Sequence, residues 1–339
     1  MRPLTLNRVL WTCGALAVVL LGVMLVALKL GAVPVSVVGL AKDLVRVALG
    51  QRAQLKSEYR LIVFDIRLPR ILLGILVGAS LSVAGAGFQA LLRNPLADPY
   101  VLGVSSGAAL GAIISLVASP HIPLLTPLAA FAGAVLTITA VYFLGRREGQ
   151  LDSSTLLLAG IITASFLSAV VMFLMTTLPG RDLRGLAFWL MGDLSTPLPA
   201  GLRWIFVAGL ILGAGAIYTT AADLNLLLTG EQEAMHLGVH VTRVKLVVYV
   251  GASVLTGLAV SVSGAIGYVG LLVPHAMRML FGSDYRLLIP TSALGGAIAV
   301  VVADMLARTV VAPTELPVGA MTAMAGAPVF IYLLRRRLR

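Results

Sequence analysis

The chain has 339 residues, of which 59% are hydrophobic and only 12% are charged, and its mean hydropathy is +1.01. One soluble core cannot hide this much apolar surface, so lipid must cover the remainder and a soluble catalytic domain is excluded. The net charge of +11 comes from basic residues that stand singly or in pairs between apolar stretches, which favours membrane topology and partner docking over nucleic-acid binding.

Apolar stretches long enough to cross a bilayer recur along nearly the whole chain. Because a helix needs ~20 mostly apolar residues to span ~30 Å of hydrocarbon, the sequence predicts an all-α polytopic membrane protein, a single domain over 1–339 with about ten transmembrane helices. An even number of spans places both termini on one side, and the arginine-rich C terminus favours the cytoplasmic side. The predicted spans lie at about 9–30, 69–92, 102–119, 123–145, 154–178, 202–220, 244–263, 265–281, 287–308 and 317–335.

The first span follows Arg2 and Arg8 and resembles a secretory signal in that respect. Its apolar run is longer than the ~7 to 15 residues of a signal core, and no convincing small-residue cleavage site follows it. We therefore predict a retained first helix. The single cysteine, Cys13, lies in this span, which excludes an intramolecular disulfide and a thiol ligand set.

The segment between the first two spans is rich in charge and would face outward in this topology. Basic residues on the outer side oppose the usual orientation bias. An acidic extracytoplasmic partner explains them, and an interfacial amphipathic helix over 35–50 is an alternative; both can hold. The charged residues are Lys42, Arg46, Arg52, Lys56, Arg60, Arg67 and Arg70, together with Asp43, Glu58 and Asp65.

Glycines are dense in the second span and again in the seventh and eighth. Glycine removes side-chain bulk, and close packing contact drives helix association inside a membrane. We predict that these positions form surfaces of helix packing. They are Gly74, Gly78, Gly85 and Gly87, followed by Gly251, Gly257, Gly264 and Gly267.

A polar turn broken by proline follows the second span. Gln89 and Asn94 carry amides whose hydrogen-bonding groups would be expensive to leave unsatisfied in a membrane. We predict that they tie this turn, with Pro95, to neighbouring helices; direct substrate contact is the alternative. Pro274 predicts a second break, and His275 beside it is predicted to be a hydrogen-bonded packing residue.

The longest polar interruption in the second half of the chain is the loop at about 223–245. Glu231, Glu233 and Ala234 begin a predicted short helix. Gly238 can end this helix because glycine readily adopts the left-handed cap conformation. A solvated connector and a stub that fits a groove on a partner are both compatible with this pattern.

Catalytic chemistry finds little support in the sequence. His236 and His240 lie four apart, but no third ligand stands at a suitable spacing, so no metal site is predicted. The chain contains no G-x-x-x-x-G-K-[ST] phosphate loop, which places any ATP hydrolysis, with its ATP and Mg²⁺, on another polypeptide. No cofactor is expected on this chain.

Several motifs occur in order along the chain: I-R-L-P-R at 66–70, Q-A-L-L-R-N-P-L-A-D-P at 89–99, G-A-I-G-Y-V-G-L-L-V-P-H at 264–275 and E-L-P-V-G at 315–319. They strongly resemble the permease subunits of ABC importers for iron-siderophores, haem and cobalamin. The resemblance implies a homodimer in the bacterial cytoplasmic membrane, with two ATPase subunits beneath it and a substrate-binding protein that docks from outside.

The resemblance assigns binding-protein docking to three arginines, Arg67, Arg70 and Arg308. For Arg308 a structural interpretation also exists, because Asp304 one helical turn earlier can pair with it. A helix C terminus also favours an arginine through the macrodipole. Docking and structural neutralisation can both hold.

The resemblance also implies a contact with the ATPase. The E-x-A-x-x-L-G pattern in the 223–245 loop is similar to the coupling-helix motif of this family. The implied coupling residues are Glu231, Glu233, Ala234, Leu237 and Gly238.

A cytoplasmic gate is implied at Ser153 and Ser154, which begin the fifth predicted helix in L-D-S-S-T. Asp152 and Thr155 depart from the residues that relatives carry there, which leaves the polarity of the gate open. The serines could equally cap the fifth helix.

Together these observations predict a transport subunit, itself no enzyme, that moves a metal chelate inward. Iron chelates rank first among ferric siderophores, haem and cobalamin. The alternative is a secondary transporter driven by an ion gradient, but such proteins keep ionisable groups in mid-membrane, and the spans here are almost empty of them. A membrane-embedded enzyme would need paired carboxylates or histidines in the spans, and the sequence has neither.

Overall fold

The computed structural model describes residues 4–31, 33, 39, 45, 50, 60–118, 122, 124–147, 150–177, 180–196, 198 and 200–337. The predicted amphipathic helix over 35–50 lies almost wholly outside these residues. Within them the chain is nearly all helical. The helices are α1 (Leu6–Lys29), α2 (Leu68–Leu91), α3 (Val104–Ala118), α4 (Leu125–Leu144), α5 (Ser153–Thr177), α6 (Gly180–Leu190), α7 (Ala200–Thr219), α8 (Ala221–Leu227), α9 (Glu231–His236), α10 (Val241–Ser263), α11 (Val269–Phe281), α12 (Tyr285–Ala307) and α13 (Val318–Arg337).

Three small elements adjoin the long helices. A π-helical segment, Arg60–Arg67, runs directly into α2, and a 3₁₀ turn, Pro99–Leu102, precedes α3. Two short antiparallel strands, β1 (Arg146–Arg147) and β2 (Gln150–Leu151), connect α4 to α5.

The predicted all-α membrane architecture is confirmed. In the described part of the chain, seven helical stretches are long and apolar enough to cross a membrane, and three shorter apolar helices, at 104–118, 269–281 and 318–332, accompany them. Each of the ten predicted spans overlaps one of these ten. Helix α6 and the pair α8 and α9 lie between spans.

Two of the shorter helices, α3 and α11, follow loops that contact each other. With 15 residues α3 is about 22 Å long, which is less than the ~30 Å of hydrocarbon in a bilayer. In the turn before α3 the Tyr100 hydroxyl donates to the Ile266 carbonyl at 3.2 Å and accepts from the Ile266 amide at 3.0 Å. Irregular backbone inside a membrane is tolerated only where protein satisfies it, and this paired contact between two loops does so.

Helix α2 is the centre of the bundle. In an apolar 18-residue stretch of the span that contains it, 83% of the residues are buried, against 22% in such a stretch of α5 and 0% in that of α1. Helices α10, α11 and α12 pack around it. An apolar helix surrounded by protein needs little lipid contact, whereas α1, α5 and α7 expose apolar side chains along their length.

Glycine allows α2 to approach its neighbours at backbone distance. A Cβ placed on Gly78 would overlap the Gly296 carbonyl of α12, and one on Gly85 would overlap the Gly270 carbonyl of α11. The predicted packing surface is therefore confirmed at both positions on α2. At Gly267 nothing of this chain lies within 4 Å of such a Cβ, so packing at that position stays a prediction.

We expect Gly78→Ala to destabilise the protein by about 1–3 kcal/mol, because the added methyl group must push α2 away from α12. The matched control is Gly215→Ala on the exposed side of α7, where nothing lies within 4 Å of the new methyl group. The midpoint of thermal unfolding in detergent micelles measures both. Equal midpoints for the two variants would contradict the close contact.

Candidate functional site at the two ends of the central helix

A buried carboxylate joins the N-terminal end of α2 to the C-terminal end of α12. Asp304 is 1% exposed, and its two oxygens accept from Arg70 Nε at 2.6 Å and from Arg308 Nε at 2.9 Å. Arg70 Nη1 also pairs with Glu315 at 2.7 Å, and that carboxylate is 43% exposed. We call Arg70, Asp304, Arg308 and Glu315 the Asp304 cluster. The pair predicted between Asp304 and Arg308 is confirmed.

Arg67 lies beside this cluster with different partners. Its Nη1 donates to the carbonyls of Leu28 at 2.7 Å and Lys29 at 3.1 Å, and its Nη2 donates to the Val33 carbonyl. The last carbonyls of a helix have no partner within the helix, so this guanidinium satisfies the C-terminal end of α1.

The three arginines assigned to docking by resemblance are all buried in the chain. Arg67, Arg70 and Arg308 are 5%, 7% and 5% exposed. Their hydrogen bonds go to groups of this same chain, so each has a structural role whatever binds above it. Docking by these residues stays a prediction.

The turn after α2 is tied down by Gln89. Its Nε2 donates to the carbonyls of Leu271 at 3.1 Å and Gly270 at 3.4 Å. Because Pro274 has no amide hydrogen, the Gly270 carbonyl four residues earlier lacks a helical partner, and Gln89 supplies one. The predicted link from Gln89 to a neighbouring helix is confirmed.

Two parts of that prediction are wrong. Pro274 lies inside the continuous helix α11 rather than at a break, because a side chain satisfies the carbonyl that the proline frees. Asn94 Oδ1 accepts from the Leu96 amide at 2.9 Å. It therefore stabilises its own turn around Pro95 and does not tie it to another helix.

A second ionic cluster lies at the C-terminal end of α2. Glu231, the first residue of α9, has one oxygen 2.7 Å from Lys245 Nζ and 3.2 Å from Arg93 Nη2. Lys245 also donates to the Leu151 carbonyl at 3.2 Å. We call Arg93, Glu231 and Lys245 the Glu231 cluster; it connects α2, α9, α10 and β2.

The short helix predicted in the 223–245 loop is confirmed as α9, and Gly238 after it has φ +87°. The implied coupling residues divide into two groups. Ala234 is fully buried and Glu231 points toward Lys245, whereas Glu233 and Leu237 are exposed. The exposed surface of α9 also contains Met235, which is 52% exposed and which the sequence pattern did not indicate.

The predicted gate residues lie where α5 begins, against the end of α2. Ser153 Oγ donates to the Leu91 carbonyl at 3.2 Å. The carboxylate of Asp152 accepts from the Thr155 amide and from the Ser154 hydroxyl, each at 2.7 Å. Asp152 therefore caps α5, and the alternative that the serines cap it is wrong. The gate itself stays a prediction.

The loop segment at 223–245 is also attached to α12. Asn225 Nδ2 donates to Asp284 Oδ1 at 2.8 Å, and Asn225 Oδ1 accepts from the Tyr285 amide at 2.9 Å. A hydrogen bond from Arg286 is the main reason that the pKa of Asp284 lies below its ordinary value, and the Asn225 bond acts in the same direction. One amide thus joins α8 to the first turn of α12.

Comparison with known proteins gives consistent matches. The model of the FecCD transport family matches residues 18–336. The cobalamin import system permease protein BtuC of Halobacterium salinarum is 43% identical over 312 residues, covering 90% of this chain and 82% of that protein. The hemin transport system permease protein HmuU of Yersinia pestis is 43% identical over 279 residues, covering 80% of this chain and 83% of that protein.

A solved structure has the same architecture. It is an inward-facing conformation of an ABC transporter assigned to the metal-chelate type, and it aligns with a TM-score of 0.81 at 29% identity. The alignment covers 96% of this chain and 99% of that one.

We expect Asp304→Asn to cost about 3–5 kcal/mol of stability, because it leaves the buried Arg308 without a carboxylate and Arg70 with only the partly exposed Glu315. Glu315→Gln removes the more exposed carboxylate of the same cluster and should cost below about 1 kcal/mol. Thermal unfolding of the two variants in detergent, compared with the unmodified protein, measures the difference. A similar small loss for both would contradict Asp304 as the centre of the cluster.

Proposed function

The chain belongs to the FecCD transport family of ABC importer permeases, and we propose that two copies of it form the pathway by which a metal chelate crosses the bacterial cytoplasmic membrane. The single observation that carries this proposal is the match of the family model over residues 18–336, a range that contains nearly all of the seven long and three shorter apolar helices of the described residues. The permease contributes the route and its gates, and it performs no covalent chemistry.

The cargo class follows from what the similar proteins share. One relative is a cobalamin permease and another a hemin permease, and the similar structure is assigned to the metal-chelate type. Cobalamin and hemin are both metal ions held in large organic chelators. We propose a metal chelate as the cargo and rank iron chelates, a ferric siderophore or haem, before cobalamin.

Energy reaches this subunit from two separate ATP-binding cassette subunits, which bind the ATP and Mg²⁺. The exposed surface of α9 supports this proposal, because Met235 and Leu237 there are 52% and 64% exposed. Apolar side chains that stand out from a polar loop favour contact with a partner over contact with water. Nucleotide binding would then shift α9 and bias the bundle between two packed arrangements.

Because the ATPase subunits are cytoplasmic, α9 and both chain termini face the cytoplasm in this proposal, and the Asp304 cluster lies at the outer face of the membrane. A periplasmic or lipid-anchored substrate-binding protein docks there. With Arg67 included, three arginines face two carboxylates, which leaves an excess of one positive charge. Such an excess steers an acidic surface toward this face, even though the guanidinium groups are engaged inside the chain.

The alternative of an ion-gradient-driven transporter would require ionisable groups that exchange protons or ions within the spans. In the described helices, Arg70, Asp304 and Lys245 are buried charged residues, and each is paired and lies near a helix end. Groups engaged in this way suit a structural role. The geometry therefore favours the ATP-driven transporter.

We expect the complete complex, reconstituted in proteoliposomes with its ATPase and binding protein, to accumulate labelled ferric citrate, haemin or cyanocobalamin only when ATP is supplied. Ionophores that collapse ion gradients should leave uptake unchanged, because the energy comes from ATP. Accumulation by the permease alone under an ion gradient would instead support the secondary transporter.

We expect Leu237→Glu to weaken association with the ATPase subunits at least about tenfold, since a charge replaces a contact that would be buried at the interface. Leu144→Glu is the matched control, because this leucine is 61% exposed at the end of α4 and lies outside the 223–245 loop. Co-purification and light scattering of the complex report association. Equal binding by both variants would contradict α9 as the contact.

A further inference from the structure

We infer that Lys245 is a positioning residue that transmits the displacement of α9 to the start of α5. This inference rests on the proposed function, because it assumes that a partner moves α9. It assigns a role to the residues between the partner contact on α9 and the predicted gate at the start of α5, to which the sequence motifs assign none.

The contacts of Lys245 connect the two sites directly. Its side chain lies between the Glu231 carboxylate on α9, 2.7 Å away, and the Leu151 carbonyl on β2, 3.2 Å away. Leu151 is only two residues before Ser153, where α5 begins. A displacement of α9 is thus transmitted to the predicted gate through one ion pair and one hydrogen bond.

A cleft of about 800 Å³ lies beside this bridge and is lined by Leu151, Glu231, Met235 and Lys245, among others. Both α9 and β2 contact α10, and Lys245 on α10 has a polar contact with each of them. A movement of α9 relative to α10 therefore acts directly on this side chain.

Burial makes the bridge stiff. Lys245 is 8% exposed, and a buried ammonium group that loses its carboxylate is strongly destabilised. When Glu231 moves, Lys245 follows it or leaves a buried charge unpaired. The ammonium group has three donors, and one of them bonds the Leu151 carbonyl. Because this acceptor belongs to the backbone, a movement of Lys245 acts on the polypeptide chain itself and not on a side chain that can rotate away.

The Glu231 carboxylate also connects α9 to the C-terminal end of α2, which contacts the predicted gate from the other side. Arg93 at the end of α2 lies 3.2 Å from Glu231 and is 39% exposed, so this contact is weaker than the one from Lys245. Ser153 donates to the Leu91 carbonyl of α2. The Glu231 cluster therefore contacts both chain segments that meet at the start of α5.

A purely neutralising role for Lys245 makes a different prediction. If Lys245 served only to balance the charge of Glu231, the neutral pair Glu231→Gln with Lys245→Met would behave like the unmodified protein. If Lys245 transmits movement, the neutral pair stays defective because the links to Leu151 and Glu231 are both lost. Lys245→Arg keeps a cation and hydrogen-bond donors, and it should restore most of the function.

The experiment uses the complete complex in proteoliposomes, with labelled ferric citrate, haemin and cyanocobalamin as the probes. The quantity measured is the amount of probe transported per ATP hydrolysed. We expect Lys245→Met and the neutral pair to lower this ratio at least about fivefold, the lower end of typical coupling effects. Arg335→Met, which removes an exposed cation near the end of α13 and away from the 223–245 loop, is the control and should keep the ratio.

Two failures can be told apart. Should the unmodified complex transport none of the probes with ATP, the proposed function fails and this inference falls with it. Should the unmodified complex transport a probe while Lys245→Met or the neutral pair transports it at the same ratio, only the role of Lys245 is overturned. Thermal unfolding of every variant separates a coupling defect from a folding defect.

Discussion

The burial of α2 among its own neighbours is the constraint on which the rest of the structure depends. A helix that touches protein on all sides must pack at backbone distance, which the contact of Gly78 with Gly296 allows. Its buried charged end must then find a partner inside the chain, because an unpaired buried charge is costly, and Arg70 pairs there with Asp304. At the other end the more exposed Arg93 lies 3.2 Å from Glu231.

These two ionic clusters connect α2 to different helices and thereby to different faces of the protein. The Asp304 cluster fixes α2 against α12, and Arg67 beside it holds the end of α1. The Glu231 cluster joins α2 to α9 and, through Lys245, to the strand before α5. Asn225 links α8 to the other end of α12. A displacement of the 223–245 loop therefore has polar routes to both α5 and α12.

Hydropathy and local spacing predicted much of this arrangement. The ten spans, the short helix before Gly238 and the Asp304 to Arg308 pair each depend on residues close in sequence, which the pattern contains. Contacts between distant residues were not predictable: Arg70 and Asp304 are 234 residues apart, and Lys245 meets the Leu151 carbonyl 94 residues away. The prediction of a helix break at Pro274 was wrong for the same reason, since Gln89 from another helix donates to the Gly270 carbonyl that the proline leaves without a partner.

Distance measurement between spin labels during nucleotide binding tests the linkage of α9 to α5 most directly. Nitroxides at His236→Cys on α9 and Leu158→Cys on α5, both exposed positions, can be introduced after Cys13→Ser removes the single native cysteine. A second pair, from His236→Cys to Trp11→Cys on α1, reports the movement of α9 itself. The account predicts that ATP changes the α9 to α1 distance and leaves the α9 to α5 distance unchanged. Equal changes in both distances would contradict it.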